Sequence, residues 1–379
     1  MMKRKKVIVL DTSDKGHHLE YIHHLHDSCV SDLMNDYVFA VPFTIKDKGK
    51  ILQWRESSHI SYHYLTDEEC NPSEGWKGNI TRAIVLRKLC KEHTPSDVLL
   101  ISIMAFMPFL GILPFGNVRF SGIVYSFYLY QWSQMTILNR IKNLIIYTLF
   151  SKLRRFKRIL ILNDSASAIA LNKIWKTTKF KYLPDPVAIR INPNVLNKPD
   201  FLPDKNNKTI FLHAGGFSDR KGTIQLFDII SKLSVDQKKD VCFVFAGIVT
   251  ESIRQPFYDY YERLKNESEI LVYDMFCSFE LLTALCKYSS YMILPYKNTN
   301  MSSGIISYGA YCGTPVIVPN SGLLGKLVKR YKMGICLKGD FEESFLSIFD
   351  KLCEDCNSTN SNYVETHSID SFTRVMLDI

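Results

Sequence analysis

The chain has 379 residues, which is more than one compact core usually accommodates, so its length predicts two domains. Hydrophobic residues make up 46% and charged residues 22%, a balance typical of an ordinary globular protein. The formal net charge of +9 favours anionic partners such as nucleotides, phosphorylated lipids or an acidic membrane face. Nucleic acid is excluded as a partner because the sequence contains no recognised RNA- or DNA-binding module.

The first half of the chain alternates short apolar runs with helical patterns. The run Val7–Leu10 predicts a strand and is too short for the core of a signal peptide, so we expect a cytoplasmic protein. A loop containing Gly16 follows, and apolar residues then recur at three- and four-residue steps, which predicts a helix. Further strands are predicted at Tyr37–Val41, Asp97–Ile101, Gly122–Phe127 and Ile159–Leu162. The alternation predicts a mostly parallel sheet and a Rossmann-like domain.

The composition changes at Leu183, where a stretch rich in Pro, Asn, Asp and Lys begins and continues to Lys208. This composition predicts a linker. A second α/β pattern follows, with strands predicted at Thr209–His213, Val241–Phe245, Ile270–Tyr273, Tyr291–Leu294 and Val316–Val318. We therefore expect one Rossmann-like domain over 1–185, a linker over 186–208 and a second Rossmann-like domain over 209–365. A C-terminal helix over 366–379 is expected to return to the first domain.

One glycine-containing loop in the second half carries two adjacent cations. The predicted strand Thr209–His213 is followed by Gly215 and Gly216, and Arg220 and Lys221 then stand at the start of a helix. Glycines let backbone amides approach a diphosphate closely, and the cations would neutralise it. The alternative is an ordinary strand–helix loop with solvated charges.

A second polar loop follows the predicted strand that ends at Leu294. It contains Asn300, Ser302, Ser303 and Gly304 and leads into a helix. Hydroxyls and backbone amides at the start of a helix suit phosphate or ribose. The alternative is that the two serines only cap the helix.

The order of these motifs resembles glycosyltransferase family 4, and the resemblance covers residues 205 to 340. It is carried by Gly-Gly…Lys-Gly, then Phe243-Val-Phe-Ala-Gly247, then Leu-Pro-Tyr, and finally Gly-Thr-Pro-Val-Ile. The resemblance implies a GT-B fold, in which two Rossmann-like domains face each other across a cleft and the second binds a nucleotide sugar. It also implies a hexosyl transfer that retains the anomeric configuration. No Asp-x-Asp metal motif is present, so we expect no metal dependence and no cofactor.

The chain departs from the family pattern at the sugar end of the donor site. Asn300 and Tyr308 occupy the places where the family usually carries two glutamates, one facing the sugar and one facing the ribose. The Ser302–Gly304 loop is expected to take over part of these contacts. The basic residue that the family has after its first glycine is Gly216 here, and Arg220 is expected to compensate.

Candidate acceptor residues lie in the first half of the chain. Gly16, His17 and His18 follow the first strand, where a histidine could bind an acceptor phosphate or act on the acceptor hydroxyl. Tyr125 and Ser126, at the end of a middle strand, are expected to line the acceptor pocket. The next three histidines along the chain lie off the apolar stripe of their helix and are expected to be solvated: His23, His24 and His26.

The segment 140–158 combines apolar residues at helical spacing with a run of cations. This pattern predicts a basic amphipathic helix that contacts an anionic bilayer on the inner face of the membrane. The alternative is a surface helix packed on the first sheet.

Together these features predict sugar transfer from a nucleotide-sugar donor to a hydroxyl of a glycan or lipid-linked acceptor in surface polysaccharide synthesis. Lys221, Arg220 and His18 are the predicted catalytic residues. Three alternatives remain: a nucleotide-sugar epimerase, a phosphorylase of the same fold, and a non-catalytic partner in a glycan-assembly complex. The phosphorylase would need a pyridoxal lysine motif, which the sequence lacks.

Overall fold

The computed structural model describes residues 4–13, 17–47, 54–73, 75–187, 191–204, 207–354, 358–359 and 361–378. The chain divides into two compact units. The first comprises Met1–Pro186 together with Ile369–Ile379, and the second comprises Val187–Ser368. Each unit is an α/β domain on its own parallel sheet, so the predicted pair of Rossmann-like domains is confirmed.

The first unit contains a seven-stranded parallel sheet. Its strands are β1 (Lys5–Leu10), β2 (Asn35–Pro42), β3 (Ile60–Leu65), β4 (Asp97–Leu100), β5 (Arg119–Val124), β6 (Phe156–Leu162) and β7 (Phe180–Leu183). They are arranged in the order β3-β2-β1-β4-β5-β6-β7, so the direction of winding reverses between β1 and β4. In open parallel sheets, ligands bind at the carboxyl ends of the strands beside such a reversal.

Helices cover both faces of this sheet: α1 (His17–Ser31), α2 (Asp67–Cys70), α3 (Gly75–His93), α4 (Phe109–Ile112), α5 (Ile137–Lys152) and α6 (Ser165–Trp175). Each face of the sheet packs into its own apolar cluster. Ile8 and Leu10 of β1 pack into one, and Val7 and Val9 pack into the other. Burial on both faces explains why β1 is a continuous apolar run rather than an alternating one. No helix in the described ranges has the length and hydropathy needed to cross a bilayer.

The predicted amphipathic helix over 140–158 is wrong in its last third. Helix α5 ends at Lys152, and β6 begins at Phe156 because a run of apolar residues continues the sheet there. The guanidinium of Arg155 donates to the carbonyl oxygens of Leu110 and Leu113, at 3.1 and 2.7 Å. Part of the predicted cationic run therefore stabilises the first unit internally.

The prediction that the helix-α1 histidines are solvated is wrong for two of the three. His24 and His26 are buried. The imidazole of His26 stacks on Trp54 with 4.7 Å between ring centroids, and its Nε2 lies 2.6 Å from the hydroxyl of Tyr62. Neighbouring aromatic residues extend the buried face of α1 beyond its aliphatic stripe.

The second unit contains a six-stranded parallel sheet: β8 (Thr209–Ala214), β9 (Val241–Ala246), β10 (Glu269–Tyr273), β11 (Tyr291–Ile293), β12 (Val316–Pro319) and β13 (Gly334–Leu337). The strand order is β10-β9-β8-β11-β12-β13, with the reversal between β8 and β11. Its helices are α7 (Thr223–Lys232), α8 (Val235–Lys239), α9 (Glu251–Leu264), α10 (Phe279–Tyr288), α11 (Ile305–Cys312), α12 (Gly322–Arg330), α13 (Phe341–Ser347), α14 (Phe349–Glu354) and α15 (Tyr363–Thr366).

The last helix, α16 (Ile369–Leu377), belongs to the first unit. Its Phe372 packs against Tyr21 of α1 with 4.8 Å between ring centroids. The buried guanidinium of Arg158 in β6 donates to the carbonyl oxygens of Val375 and Met376, at 2.5 and 2.9 Å. These bonds satisfy carbonyl groups at the C-terminal end of α16 and attach the helix to the first sheet.

Candidate functional site

The turn after β8 brings a lysine ammonium against a glycine. Gly215 has φ of +99°, a conformation that favours glycine, and its amide donates to the carbonyl oxygen of Ala246 at 2.9 Å. A Cβ atom on Gly215 would lie 2.7 Å from Nζ of Lys221. The absence of a side chain at Gly215 therefore makes room for the Lys221 ammonium. By contrast, a Cβ on Gly216 would meet nothing within 4 Å.

Lys221 is held in a desolvated position. Burial, and secondarily the positive charge of Arg220, lowers the pKa of Lys221 from 10.5 to about 8. Nζ of Lys221 lies 5.6 Å from the ring centroid of Tyr296, and the Arg220 guanidinium lies 5.8 Å from the same ring. At neutral pH both side chains are cationic, and an anion beside them would offset the desolvation of Lys221.

The two loops singled out in the sequence meet at this point. Gly222, with φ of +67°, approaches the backbone so closely that a Cβ would lie 1.8 Å from the carbonyl oxygen of Pro295. The amide of Lys297 donates to the carbonyl oxygen of Arg220 at 3.0 Å. The carboxyl ends of β8 and β11 therefore present the Gly215–Gly222 and Pro295–Gly304 segments side by side.

The N-cap position after the serine loop is occupied by a glycine. Helix α11 begins at Ile305, and its N-cap residue is Gly304, which provides no side-chain hydrogen bond. The hydroxyl of Ser303 instead pairs with the hydroxyl of Tyr296 at 3.2 Å. Ser302 and Ser303 are both half-buried. Ser303 is thereby oriented toward the same tyrosine that the two cations approach.

Asn300 and Tyr308 occupy different environments. Asn300 lies half-buried in the loop, where its backbone N–H donates to the side-chain oxygen of Asn298 at 3.1 Å. Tyr308 lies on the buried face of α11 and packs in the apolar core of the second unit. The structure therefore brings the predicted diphosphate residues together and places Tyr308 among core residues.

Sequence reasoning assigned no role to His213, although it stands one residue before the end of β8. The side chain is fully buried, with Nδ1 3.0 Å from the carbonyl oxygen of Ile293 and Nε2 3.0 Å from the hydroxyl of Thr223. Burial lowers the pKa of His213 to about 4. The neutral imidazole links β8, β11 and the start of α7, and so fixes the loop that carries Lys221.

In the first unit, His18 forms an ion-pair geometry with Asp11. Nδ1 of His18 lies 2.9 and 2.8 Å from the two carboxylate oxygens of Asp11. Asp11 is buried at the carboxyl end of β1, and its Oδ1 also accepts from the amide of Ser13 at 3.1 Å. Burial raises the pKa of Asp11, while the contact with His18 opposes that rise. The sequence contained this signal, an aspartate directly after β1, but Asp11 was not singled out.

The other predicted acceptor residues lie near this pair or outside the described residues. The ring of Tyr125 lies 5.7 Å from that of His18, and its hydroxyl is buried without a hydrogen-bond partner among the residues described. Burial, reinforced by the charges of Asp11 and Asp185, raises the pKa of Tyr125. Ser126 is half-buried beside it. Gly16 lies outside the described residues, as does the side chain of His17 at the start of α1.

A tyrosine–carboxylate contact lies at the same edge of the sheet. The hydroxyl of Tyr21 donates to Oδ1 of Asp185 at 2.5 Å, and the amide of Asp185 donates to the side chain of Asn163 at 3.0 Å. Burial, and then the charge of Asp185, raises the pKa of Tyr21. The ends of β1, β5, β6 and β7 thus carry neighbouring polar side chains in the first unit.

No protein-family model matches the chain, and no curated protein matches it. Solved structures do match. HepE from Anabaena, solved in complex with UDP and glucose, is 13% identical over 98% of each chain, with a TM-score of 0.67. Sucrose-phosphate synthase from Thermosynechococcus elongatus is 12% identical over 99% of this chain and 97% of its own, with a TM-score of 0.69.

A putative UDP-N-acetylglucosamine 2-epimerase from Listeria monocytogenes has the same fold. It is 10% identical over 98% of this chain and 91% of its own, with a TM-score of 0.62. At such identities the likeness concerns the fold alone. The chain therefore has the GT-B fold, which both glycosyltransferases and nucleotide-sugar epimerases use, and the site residues must distinguish between them.

Proposed function

We propose that this chain is a glycosyltransferase that moves a hexosyl group from a nucleotide sugar to a hydroxyl of a glycan or lipid-linked acceptor. The observation that carries the proposal is the desolvated ammonium of Lys221. It is packed over Gly215, beside Arg220, at the point where the loops after β8 and β11 meet. A half-buried cation that is largely desolvated, next to an open glycine turn, suits a phosphate oxygen better than any neutral ligand.

The donor diphosphate would lie on the Gly215–Gly216 turn, with Lys221 and Arg220 neutralising the charge that develops as the sugar departs. Ser302, Ser303 and Gly304 would contact phosphate or ribose, and Asn300 would contact the sugar. Tyr308 would act through the packing of α11, since it lies in the core. Two fixed cations supply the charge that a metal ion supplies in other transferases, so we propose that transfer proceeds without one.

The Asp11–His18 pair supports a role for the first unit in orienting the acceptor. With Nδ1–H donating to Asp11, the lone pair of Nε2 is free to accept a hydrogen bond from an acceptor hydroxyl. Tyr125 and Ser126 would line the acceptor pocket, together with Gly16 and His17. In the retaining course that we propose, His18 positions the hydroxyl and an oxygen of the leaving diphosphate takes its proton. Inversion of the product would instead assign His18 as the general base.

A lipid-linked acceptor in surface polysaccharide synthesis is supported by an apolar face on α5. Ile137, Leu138, Ile141 and Ile145 recur at helical spacing and are all exposed. Arg140 and Lys142 lie on the same helix. This combination suits the headgroup region of an anionic bilayer, so we propose peripheral contact with the inner face of the membrane.

The fold shared with the Listeria protein supports one competing function, which is epimerisation of a nucleotide sugar. An epimerase would convert its nucleotide sugar without any acceptor, whereas a transferase would release nucleotide faster when an acceptor is present. Product analysis with and without a glycan acceptor separates the two. A non-catalytic scaffold would bind no nucleotide at all.

The first experiment is calorimetric titration of UDP and GDP, followed by a donor-hydrolysis screen with sugars of both nucleotides. We expect one nucleotide to bind, and Lys221→Ala to weaken it at least tenfold through loss of a charge-assisted contact. Lys239→Ala is the matched control, because Lys239 is an exposed lysine of the same unit that pairs with Asp236. Equal affinity in wild type and Lys221→Ala would refute the donor site.

A further inference from the structure

A cluster of two histidines and a glutamate lies in the first unit, on elements that the proposed transfer reaction does not use. His63 lies in the edge strand β3, and Glu92 and His93 end helix α3. Nε2 of His93 lies 3.3 Å from Nδ1 of His63. Oε1 of Glu92 lies 3.5 Å from the first of these atoms and 3.8 Å from the second. Three ligand atoms of the kinds that zinc prefers therefore lie within 4 Å of one another.

The three separations are close to the edges of a zinc coordination tetrahedron. Zinc bonds to nitrogen and oxygen ligands of about 2.0–2.1 Å require neighbouring ligand atoms to lie roughly 3.3–3.4 Å apart. The cluster needs shifts of only a few tenths of an ångström to reach that geometry. His63 and His93 are half-buried and Glu92 is exposed, so the fourth position faces water. We propose that His63, Glu92 and His93 bind a zinc ion, with water as the fourth ligand.

A simple hydrogen-bonded cluster accounts for these contacts less well. One imidazole can donate to the other across 3.3 Å, but both distances to Glu92 exceed the usual length of an N–H···O hydrogen bond. A carboxylate would then stand beside two imidazoles without bonding to either. A cation between the three atoms uses all of them.

Charged groups of both signs lie around the cluster. The ammonium of Lys6 would repel a bound cation, and the carboxylate of Glu92 offsets that repulsion.

The backbone holds the ligands in place. Strand β3 is paired along its length with β2, with His63 opposite Ala40. Helix α3 is anchored by buried residues that include Leu86 and Leu89, and it ends before Thr94, whose φ is 49°. Since both elements are fixed by other contacts, the ion would join the edge strand to the helix. Its expected effect is on the stability of the first unit, independently of sugar transfer.

The test uses the full chain after treatment with a chelator. Titration with zinc chloride should show one site, and His93→Gln or His63→Gln should each weaken it at least tenfold. His23→Gln is the control, a half-buried histidine in the same unit that lies beside Asp27. Cobalt substitution should give visible bands of a tetrahedral nitrogen–oxygen site without thiolate charge transfer, which separates this site from the free cysteines.

Thermal unfolding provides a second readout, in which each variant is compared with its own metal-free Tm. A variant that is less stable than the wild type can therefore still be tested. Zinc should raise the Tm of the wild type, and each variant should keep its own metal-free Tm when zinc is added. Glu92→Gln, which preserves the shape of the side chain, should show a smaller rise than the wild type. Zinc binding that is unchanged in His93→Gln and His63→Gln, or cobalt spectra dominated by thiolate, would overturn the proposal, as would absence of binding.

Discussion

Nδ1 of His18 lies 2.8 Å from Oδ2 of Asp11, and this contact fixes which ring nitrogen of the histidine remains available. Asp11 is buried at the end of β1, while a quarter of the His18 side chain is exposed, at 24%. The carboxylate therefore holds the imidazole from its buried side and leaves the other side of the ring toward solvent. This arrangement leads to the first prediction.

Asp11→Asn should lower kcat for sugar transfer by about 100-fold or more, because an amide no longer fixes the tautomer of His18. Nucleotide affinity should change little, since the proposed donor residues lie in the other unit. Steady-state kinetics and calorimetry on the same preparation measure both. Asp36→Asn is the control, as Asp36 pairs with Arg4 at the surface. A kcat close to wild type would show that Asp11 only stabilises the fold.

Lys221→Met should stabilise the free protein at pH 7 while weakening nucleotide binding about tenfold. The folded state lowers the pKa of Lys221 from 10.5 to about 8, so keeping this side chain charged costs about 3 kcal/mol at pH 7. The cost falls as pH rises from about 8 toward 10.5, because the folded state releases the proton first. Denaturant unfolding at pH 7 and pH 10 should show the advantage of Lys221→Met shrinking. A constant difference would contradict the assigned pKa.

The same titration predicts how nucleotide binding varies with pH. Above pH 8 the free protein loses the charge on Lys221. Affinity for the nucleotide should therefore fall about tenfold between pH 7.5 and 9.5 in the wild type. In Lys221→Met the pH dependence over this range should disappear.

Gly215→Ala should weaken nucleotide binding and destabilise the protein by about 1–2 kcal/mol, because φ of +99° strains any residue with a Cβ. The new methyl group would also displace the Lys221 ammonium. Gly339→Ala is the matched control, since Gly339 lies in the same unit and also has a positive φ, of +76°, but a Cβ there meets nothing within 4 Å. Both variants should lose stability in thermal unfolding, but only Gly215→Ala should lose nucleotide affinity in calorimetry. An equal loss of affinity in both would remove the special role given to Gly215.

Ile141→Glu should reduce binding to anionic vesicles about tenfold, because it places a charge on the exposed apolar face of α5. Val235→Glu makes the same change at an exposed apolar position of the second unit and should leave vesicle binding unaltered. Co-sedimentation with vesicles containing anionic lipid measures the difference. Equal losses in both variants would indicate a general charge effect and not a docking face.

The sequence predicted the fold because strands and helices alternate with clear apolar runs. The proximity of Lys221 to the Gly215 turn could be predicted because glycines and cations at a strand end form a local pattern. Asp11 and His213 were missed as partners because their roles depend on contacts between separate elements. The predicted C-terminal end of the helix α5 was wrong because Arg155 and Arg158 have the sequence pattern of surface cations. In the structure both guanidinium groups donate to backbone carbonyl oxygens. Long-range hydrogen bonding leaves no periodic signal in a sequence.

The attachment of α16 to the first sheet has a consequence for biosynthesis. The first unit needs two segments separated by the whole of Val187–Ser368, whereas the second is continuous along the chain. During translation, Arg158 and Tyr21 must therefore wait for Phe372 and its neighbours while the second unit is synthesised and released from the ribosome. The first unit is begun first and completed last, so this interval is when its unfinished surface is open to chaperones and to aggregation.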